Sequence, residues 1–456
     1  MTRTGLDLTE QLGPFVLADT PTETELDALR AWLPGRRWFP VKHGSARIEP
    51  WLSVRFGDGS DPVIHLLRVQ GEGEPVVVQV PVVRRTDVAT DAPERIAELD
   101  GTVLIDACYD PVFWASWLAL AQWGEADSRD GVDTDLAGAR VLAVEQSNTS
   151  ILFPKVAGGA ICKVFRTVAV GANPDVDIPR ALVQAGWAGV PRPYAWLELA
   201  SSEHGIDLMD LGVLCEFVDG ASDGFQLACA FATDERSFTD QARDLGRTVA
   251  EMHLALARAM PSAGQTVGLE WLRTELRRRA RGAVDAVDAL GSRARAIEQL
   301  LAQLGAALPD AADHLLELQH VHGDLHLGQA LWAEDTGWRI LDFEGEPMRP
   351  VAERIRPDLP VRDVAGMLRS FDYAAAVGQA NDPQWALDAR EAFLAGYRAV
   401  LPEPDAEALA ALEQDLVLAL ELDKALYEVV YEANNRPDWL WIPLQAVDRI
   451  LTQAHG

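Results

Sequence analysis

The octapeptide HGDLHLGQ, residues 322–329, places two histidines, an aspartate and a glutamine within eight positions, and WRILDFEGEP follows shortly after. This spacing describes a polar loop, two short apolar strands around a turn, and a further carboxylate beyond them. Asp324 and Asp342 then emerge from opposite ends of one small β-hairpin. One carboxylate can accept a proton from a substrate hydroxyl while the other holds a divalent metal. The amide carbonyl of Gln329 can join Asp342 as a ligand, and oxygen donors of these two kinds suit Mg2+ beside phosphates. Two plainer readings compete: a hydrogen-bonded polar turn, and a zinc pair made of His322 and His326 on a helix. Gly323 and Gly328 argue against that helix. With DFEGEP at this separation, phosphoryl transfer is the favoured chemistry.

Such a site needs counterparts upstream. Lys163, in AICKVFR, falls on a strand, where a cation can meet the α- and β-phosphates of ATP. Alone it would be an edge charge; its place in the order of elements gives it the other role. EQSNTS (145–150) lies between two strands just before it, and Ser147, Asn148, Thr149 and Ser150 can cover phosphates with hydroxyls and backbone N–H groups. CEFVDG (215–220) closes the last strand, so Glu216 and Val218 fall where a hinge would touch adenine. A strand lysine of this kind needs an acidic partner on the next helix. Asp177 is the first candidate and Asp175 the second, each one methylene shorter than the glutamate kinases use. Gln329 stands five residues after Asp324, where protein-kinase catalytic loops place a metal-binding asparagine.

The elements that must position these residues follow a clear order. Residues 1–97 hold a helical stretch, TETELDALRAWL, and then strand-like runs such as WLSVRF, PVIHLLRVQ and PVVVQVPVVRR, a small α/β cap. Residues 98–123 return to helical character, and the acidic stretch 124–138 reads as a loop or seam. ARVLAVEQ, SILFPKV and GAICKVFRTV are strands, NPDVDIPRALVQAG is a helix, and YAWLELA with IDLMDLGVLCEFV forms a hairpin. These make a β-rich nucleotide lobe over 98–219, and 220–456 is a large helical lobe interrupted by 321–350.

Composition bounds the partners. With 456 residues the chain exceeds one ordinary core. A formal charge of −30 argues against nucleic acid and against an anionic membrane surface. The N-terminus lacks the apolar core of a signal peptide, and PVFWASWLALAQW is too short to span a bilayer. The four cysteines are scattered without a CxxC pair and read as reduced thiols. A cytoplasmic protein, monomeric or weakly dimeric, is the expectation.

HGDLHLGQ, LDFEGEP, RDVAGMLRSFDYAA (362–375) and LYEVVYEANNRPDWLWIPL (426–444), with EQSNTSILF, KVFR and GANPDVD, resemble actinobacterial maltokinases and the aminosugar kinases that share their scaffold. More distantly, HGDLH with DFE resembles the aminoglycoside phosphotransferases. The resemblance is dense from about residue 141 to the end and rests mainly on RRWF in the first 97 residues. It implies an α+β, bilobal protein-kinase-like fold with an N-terminal α/β cap. It also implies ATP as donor, Mg2+ at Gln329 and Asp342, Asp324 as catalytic base and Lys163 on the phosphates.

The acceptor is a separate question. Glu428, Tyr431, Glu432 and Asn435 fall at i, i+3, i+4 and i+7 and so share a helix face suited to sugar hydroxyls. Trp439 can stack on a sugar ring, His326 braces the loop or reaches the acceptor, and Glu344 joins the acceptor set. The plain alternative is a solvated helix face. Maltokinases carry a basic residue where Asn434 stands, a small or hydroxylic one at Asp438 and a proline at Trp441; the helix sequence DIPRAL (177–182) also differs from theirs. A lost cation and a gained carboxylate favour a cationic acceptor, through a charge-assisted bond of about 1.5–3 kcal/mol. Glucosamine phosphorylated at its 6-hydroxyl is therefore expected. Maltose giving maltose 1-phosphate is the alternative, ahead of an aminoglycoside acceptor or a non-catalytic sugar-binding pseudokinase.

Overall fold

The computed structural model describes residues 12–41, 45–59, 61–71, 73–124, 133–142, 147–262, 264–308, 311, 314–345, 356–402 and 407–454. The chain divides into two compact units, one formed by Met1–Arg180 with Pro191–Asp219 and the other by Ala181–Val190 with Gly220–Gly456.

The first unit begins with β1 (Phe15–Leu17), α1 (Glu23–Trp32), β2 (Arg47–Phe56), β3 (Val63–Gln70), β4 (Val76–Arg85), β5 (Arg95–Leu99) and β6 (Thr102–Asp106). It continues through α2 (Pro111–Leu120), β7 (Gln122–Trp123), β8 (Arg140–Val141), β9 (Thr149–Phe153), β10 (Ala160–Val164) and β11 (Thr167–Val168). Helix α3 (Pro174–Gln184), of which the residues up to Arg180 belong to this unit, and the hairpin of β12 (Pro193–Ser201) and β13 (Ile206–Glu216) complete it. A seven-stranded sheet runs β1-β2-β3-β4-β6-β5, with β11 pairing to β4, and a six-stranded sheet runs β7-β12-β13-β10-β9-β8. Strand β3 is apolar on both faces because each is covered. Ile64 and Leu66 join a core with α2 and the six-stranded sheet, while Leu67 and Val69 pack with Leu29 and Trp32 of α1. Thr22 starts α1 by accepting a hydrogen bond from the Glu25 amide at 3.3 Å.

Residues 98–123 are not helical throughout, as the sequence suggested. TVLID (102–106) is strand β6, paired with the end of β4, and the helix starts only at Pro111, after Asp110 caps it. The β-branched and apolar run before the proline belongs to the sheet. Within the expected seam, residues 125–132 lie outside the described residues, as do 143–146 of the ARVLAVEQ strand.

The second unit holds β14 (Ser222–Asp223), α4 (Gly224–Thr233), α5 (Thr239–Ala259), β15 (Thr266–Gly268), α6 (Leu269–Ala286), α7 (Ala294–Gln303) and β16 (Leu315–Glu317). The hairpin of β17 (Ala330–Ala333) and β18 (Gly337–Ile340) follows, then α8 (Val361–Val377), α9 (Trp385–Arg398), α10 (Glu407–Asn435) and α11 (Trp441–Gln453). Helices α5 and α9 cross on glycine: a Cβ on Gly246 would lie 2.1 Å from the Phe393 carbonyl oxygen, and one on Gly396 2.0 Å from that of Arg243. Helix α8 is the most enclosed, with Asp363 and Arg369 buried among Met367, Leu368 and Phe371. Two charges on a core helix require partners, and these define the site. No helix among the described residues is long and apolar enough to cross a membrane.

Candidate active site

In the second unit the loop 322–329 is held mainly by one carboxylate. Asp363, at the start of α8, accepts from the His322 amide at 2.8 Å, the Gly323 amide at 2.9 Å and His253 Nε2 of α5 at 2.9 Å. The other imidazole nitrogen of His253 shares a hydrogen bond with the Tyr397 hydroxyl at 2.8 Å. Burial works to raise the Asp363 carboxyl, but the hydrogen bond and charge of His253, together with His322, outweigh it and hold it below the usual range. His322 donates through Nε2 to the Leu341 carbonyl at 2.7 Å and accepts the Asp324 amide at Nδ1, 3.3 Å. Gly323 sits at φ +85°, a conformation that lets both neighbouring amides point at one carboxylate. Further along, the Leu327 amide donates to Ser370 Oγ of α8 at 2.9 Å, and a Cβ on Gly366 would lie 2.5 Å from the Leu325 carbonyl oxygen. The loop therefore lies directly on α8.

Both ends of β17–β18 open on the same side, since Ala330 pairs with Ile340. Asp324 and Asp342 thus flank one open end of the hairpin rather than its opposite ends. This juxtaposition lets Gln329 Nε2 donate to Asp342 Oδ2 at 3.1 Å, while the Leu341 amide donates to the Gln329 carbonyl at 2.8 Å. Asp342 has φ +63°, a strained backbone for a non-glycine residue. Carboxylate oxygens of Asp342 and Glu344 come within 4.8 Å of each other. With the Gln329 amide they form an oxygen donor set of the kind that suits a hard divalent cation. His326 accepts the Gly328 amide at Nδ1, 3.0 Å, so it braces the loop; burial first, then His322 and Lys424, lowers its pKa.

The sequence stripe on α10 splits. Glu428 is half-buried and accepts from Arg369 Nε at 2.8 Å, and Glu432, buried, takes the Tyr373 hydroxyl at 3.0 Å and Arg436 at 2.6 Å. Tyr431 and Asn435 face solvent, Tyr431 being 40 % exposed and Asn435 donating back to the Tyr431 carbonyl. Positions i and i+4 pack toward α8, while i+3 and i+7 have rotated to the rim. Trp439 is half-buried, 6.3 Å from the Tyr373 ring, with the Arg436 guanidinium over it at 4.6 Å. Burial raises the Glu428 carboxyl against the pull of Arg369 and Lys424. Lys424 Nζ lies 3.5 Å from Asp324 Oδ1, and the cleft between them is also lined by Gly323, Asp358, Arg362 and Tyr427.

In the first unit Lys163 of β10 pairs with Asp175, not with Asp177 as first expected. Asn173 accepts the Asp175 amide at 2.9 Å and fixes the first turn of α3. At 100° per residue, Asp177 then faces away and meets Arg180 at 3.6 Å. Asn148, Thr149 and Ser150 are buried, and two of them serve the protein rather than an open cradle. Asn148 Oδ1 accepts the Arg166 amide at 3.2 Å, and Thr149 Oγ1 accepts Arg166 Nε at 2.8 Å. Arg166 is buried, pairs with Asp106 at the end of β6 and lies over Trp38 at 4.5 Å. Ser147 remains exposed, and Glu145 and Gln146 lie outside the described residues. At the end of β13, Glu216 accepts the Arg192 amide at 3.2 Å and Val218 is half-buried.

Asp363, Arg369, Lys424 and Arg166 carry much of this geometry and were not singled out from sequence. The available signal was a charged residue in an otherwise apolar run, as with Asp363 and Arg369 in RDVAGMLRSFDYAA.

The chain belongs to the phosphotransferase enzyme family, whose model matches residues 138–416. Residues 32–110 match the maltokinase N-terminal cap domain. A glucosamine kinase of Streptacidiphilus jiangxiensis is 28 % identical over 327 residues, 68 % of this chain and 72 % of that protein. A glucosamine kinase of Mycolicibacterium smegmatis is 27 % identical over 331 residues, 70 % of this chain and 80 % of that protein. The fold matches a structure of glucosamine kinase in complex with glucosamine, ADP and inorganic phosphate, with a TM-score of 0.62 and 22 % identity, covering 95 % of this chain and all of that one. The protein is therefore a phosphotransferase with a maltokinase-type N-terminal cap, and it has a mixed α+β kinase-like fold with a β-sheet lobe and a helical C-terminal region.

Proposed function

We propose that the protein phosphorylates glucosamine at its 6-hydroxyl, using ATP. The observation that carries the transfer chemistry is the loop fastened to Asp363, which sets Asp324 beside the cleft and Gln329 against Asp342. A bond forms between the acceptor oxygen and the γ-phosphorus, the bond from that phosphorus to the β–γ bridging oxygen breaks, and ADP leaves. Asp324 accepts the hydroxyl proton. Gln329 and Asp342 would hold Mg2+, with Glu344 close by; when bound, the ion neutralises charge on the phosphates. Lys163, fixed by Asp175, serves the nucleotide phosphates in the first unit. The acceptor assignment is supported by two relatives, each a glucosamine kinase.

A second acceptor is favoured by one feature of the structure. Glu428 and Glu432 are already bonded to Arg369 and Arg436, so neither presents an uncompensated charge to an ammonium. A neutral sugar, maltose giving maltose 1-phosphate, fits that arrangement. ADP release measured with glucosamine, maltose, glucose and an aminoglycoside separates the readings. Turnover with glucosamine well above the others is expected, and turnover with maltose alone overturns the assignment.

A further inference from the structure

We propose that Lys424 is a positioning residue that sets the reacting carboxylate and dictates which end of an amino sugar enters the site. This rests on the reading of Asp324 as the proton acceptor. Lys424 projects from α10 with its ammonium 3.5 Å from Asp324 Oδ1, and the two side chains are 26 % and 22 % exposed. Its direction is fixed by the residue before it. Asp423 is buried and pairs with Arg279 at 3.1 Å and Arg362 at 3.2 Å, which locks this turn of the helix against its neighbours. The Tyr427 ring lies one turn on, 5.3 Å from the ammonium.

The catalytic loop supplies no such cation itself. His326, two residues after Asp324, is buried, and its Nδ1 is occupied by the Gly328 amide. Arg279 and Arg362 line the same cleft but are bonded to Asp423 and Asp358. Lys424 thus meets the carboxylate at Oδ1, which directs the other oxygen, Oδ2, toward an incoming hydroxyl.

A fixed ammonium beside the reacting hydroxyl also selects among acceptors. It welcomes oxygen lone pairs and repels a second ammonium. In glucosamine the 6-hydroxyl is flanked by the ring oxygen and the 4-hydroxyl, and the amine is across the ring. Entry with the 6-hydroxyl first keeps the two cations apart, whereas entry with the 1- or 3-hydroxyl first brings them together. Lys424 therefore favours transfer to the hydroxyl remote from the amine.

The test uses the full chain, saturating ATP, and two acceptors: glucosamine, and 4-amino-4-deoxyglucose, whose amine adjoins the reacting end. Lys424→Met is expected to lower kcat/KM for glucosamine by about 30-fold with the KM for ATP within about twofold, and Lys424→Arg to restore most of it. Wild type is expected to prefer glucosamine over the 4-amino sugar, and Lys424→Met to narrow that preference by about tenfold. A melting temperature within a few degrees of wild type shows that Lys424→Met is folded; Lys424→Arg serves as the folded comparison otherwise. Unchanged kcat/KM in Lys424→Met, or an unchanged preference between the two sugars, overturns the inference. If wild type uses maltose and not glucosamine, the acceptor assignment fails, yet Lys424→Met must still impair maltose turnover. If wild type turns over no sugar, both fall.

Discussion

The loop at 322–329 and the stretch 421–436, the end of α10 and the residue after it, belong to the same unit and are held in opposite ways. The loop is fixed through its backbone: amides of His322, Gly323 and Leu327 donate to Asp363 and Ser370 of α8. The helix face is fixed through long side chains, with Arg369 on Glu428 and Asp372, Arg390 and Arg449 on Glu421, and Arg436 on Glu432. Backbone anchoring leaves a reacting carboxylate few ways to move and is indifferent to the acceptor. Ion pairs between side chains can exchange partners when a ligand arrives, and they vary with single substitutions. On the proposed function, chemistry is built into the first region and selectivity into the second.

The comparison breaks most sharply at Asp324. Asp324→Asn should lower kcat by about 1,000-fold or more, while calorimetry finds binding of a non-hydrolysable ATP analogue within about twofold of wild type. Asp363→Asn weakens the anchor without touching an acceptor. It should lower kcat by about 100-fold and, in urea unfolding, stability by about 3 kcal/mol, because a buried charge network loses its centre. Stability loss with unchanged kcat would show that the loop does not depend on this carboxylate.

On the first unit, Asp175→Asn should raise the KM for ATP by about tenfold, whereas Asp177→Asn should change it less than twofold, being an exposed ion pair. Arg369→Met tests the helix face. It should raise the acceptor KM severalfold, leave the ATP KM in place, and destabilise the fold by about 2 kcal/mol at pH 7. The sign with pH follows from Glu428, whose carboxyl burial already raises. A buried acid raised above its unfolded value destabilises when ionised, so the deficit in Arg369→Met should shrink as pH falls and Glu428 takes up its proton. Asn435→Ala, on the solvent side, should change kcat/KM less than twofold.

Much of the loop was legible because its chemistry is local: a short polar run with glycines, followed by DFEGEP, restricts the conformations available. Its anchor was not, since Asp363 lies some forty residues away and only folding places it under the His322 and Gly323 amides. On α10, helical spacing correctly grouped Glu428 with Glu432. It could not show that Arg369 and Tyr373 would draw both inward and leave Tyr431 and Asn435 outside. The choice between Asp175 and Asp177 turned on the cap at Asn173, which sets the phase of α3. The cap sheet was legible as alternating or continuous apolar strands. Strand β6 was not, because its short run adjoins an apolar helix and pairs with β4 rather than with a sequence neighbour alone.

The central claim is transfer from ATP to the hydroxyl of an amino sugar far from its amine. Incubation of the protein with ATP, Mg2+ and glucosamine, followed by phosphorus NMR of the product, addresses it directly. A single phosphomonoester coupled to the two protons of carbon 6, formed together with an equal amount of ADP, is the expected result. Phosphate on the anomeric oxygen, or glucosamine unchanged while maltose is phosphorylated, would contradict it.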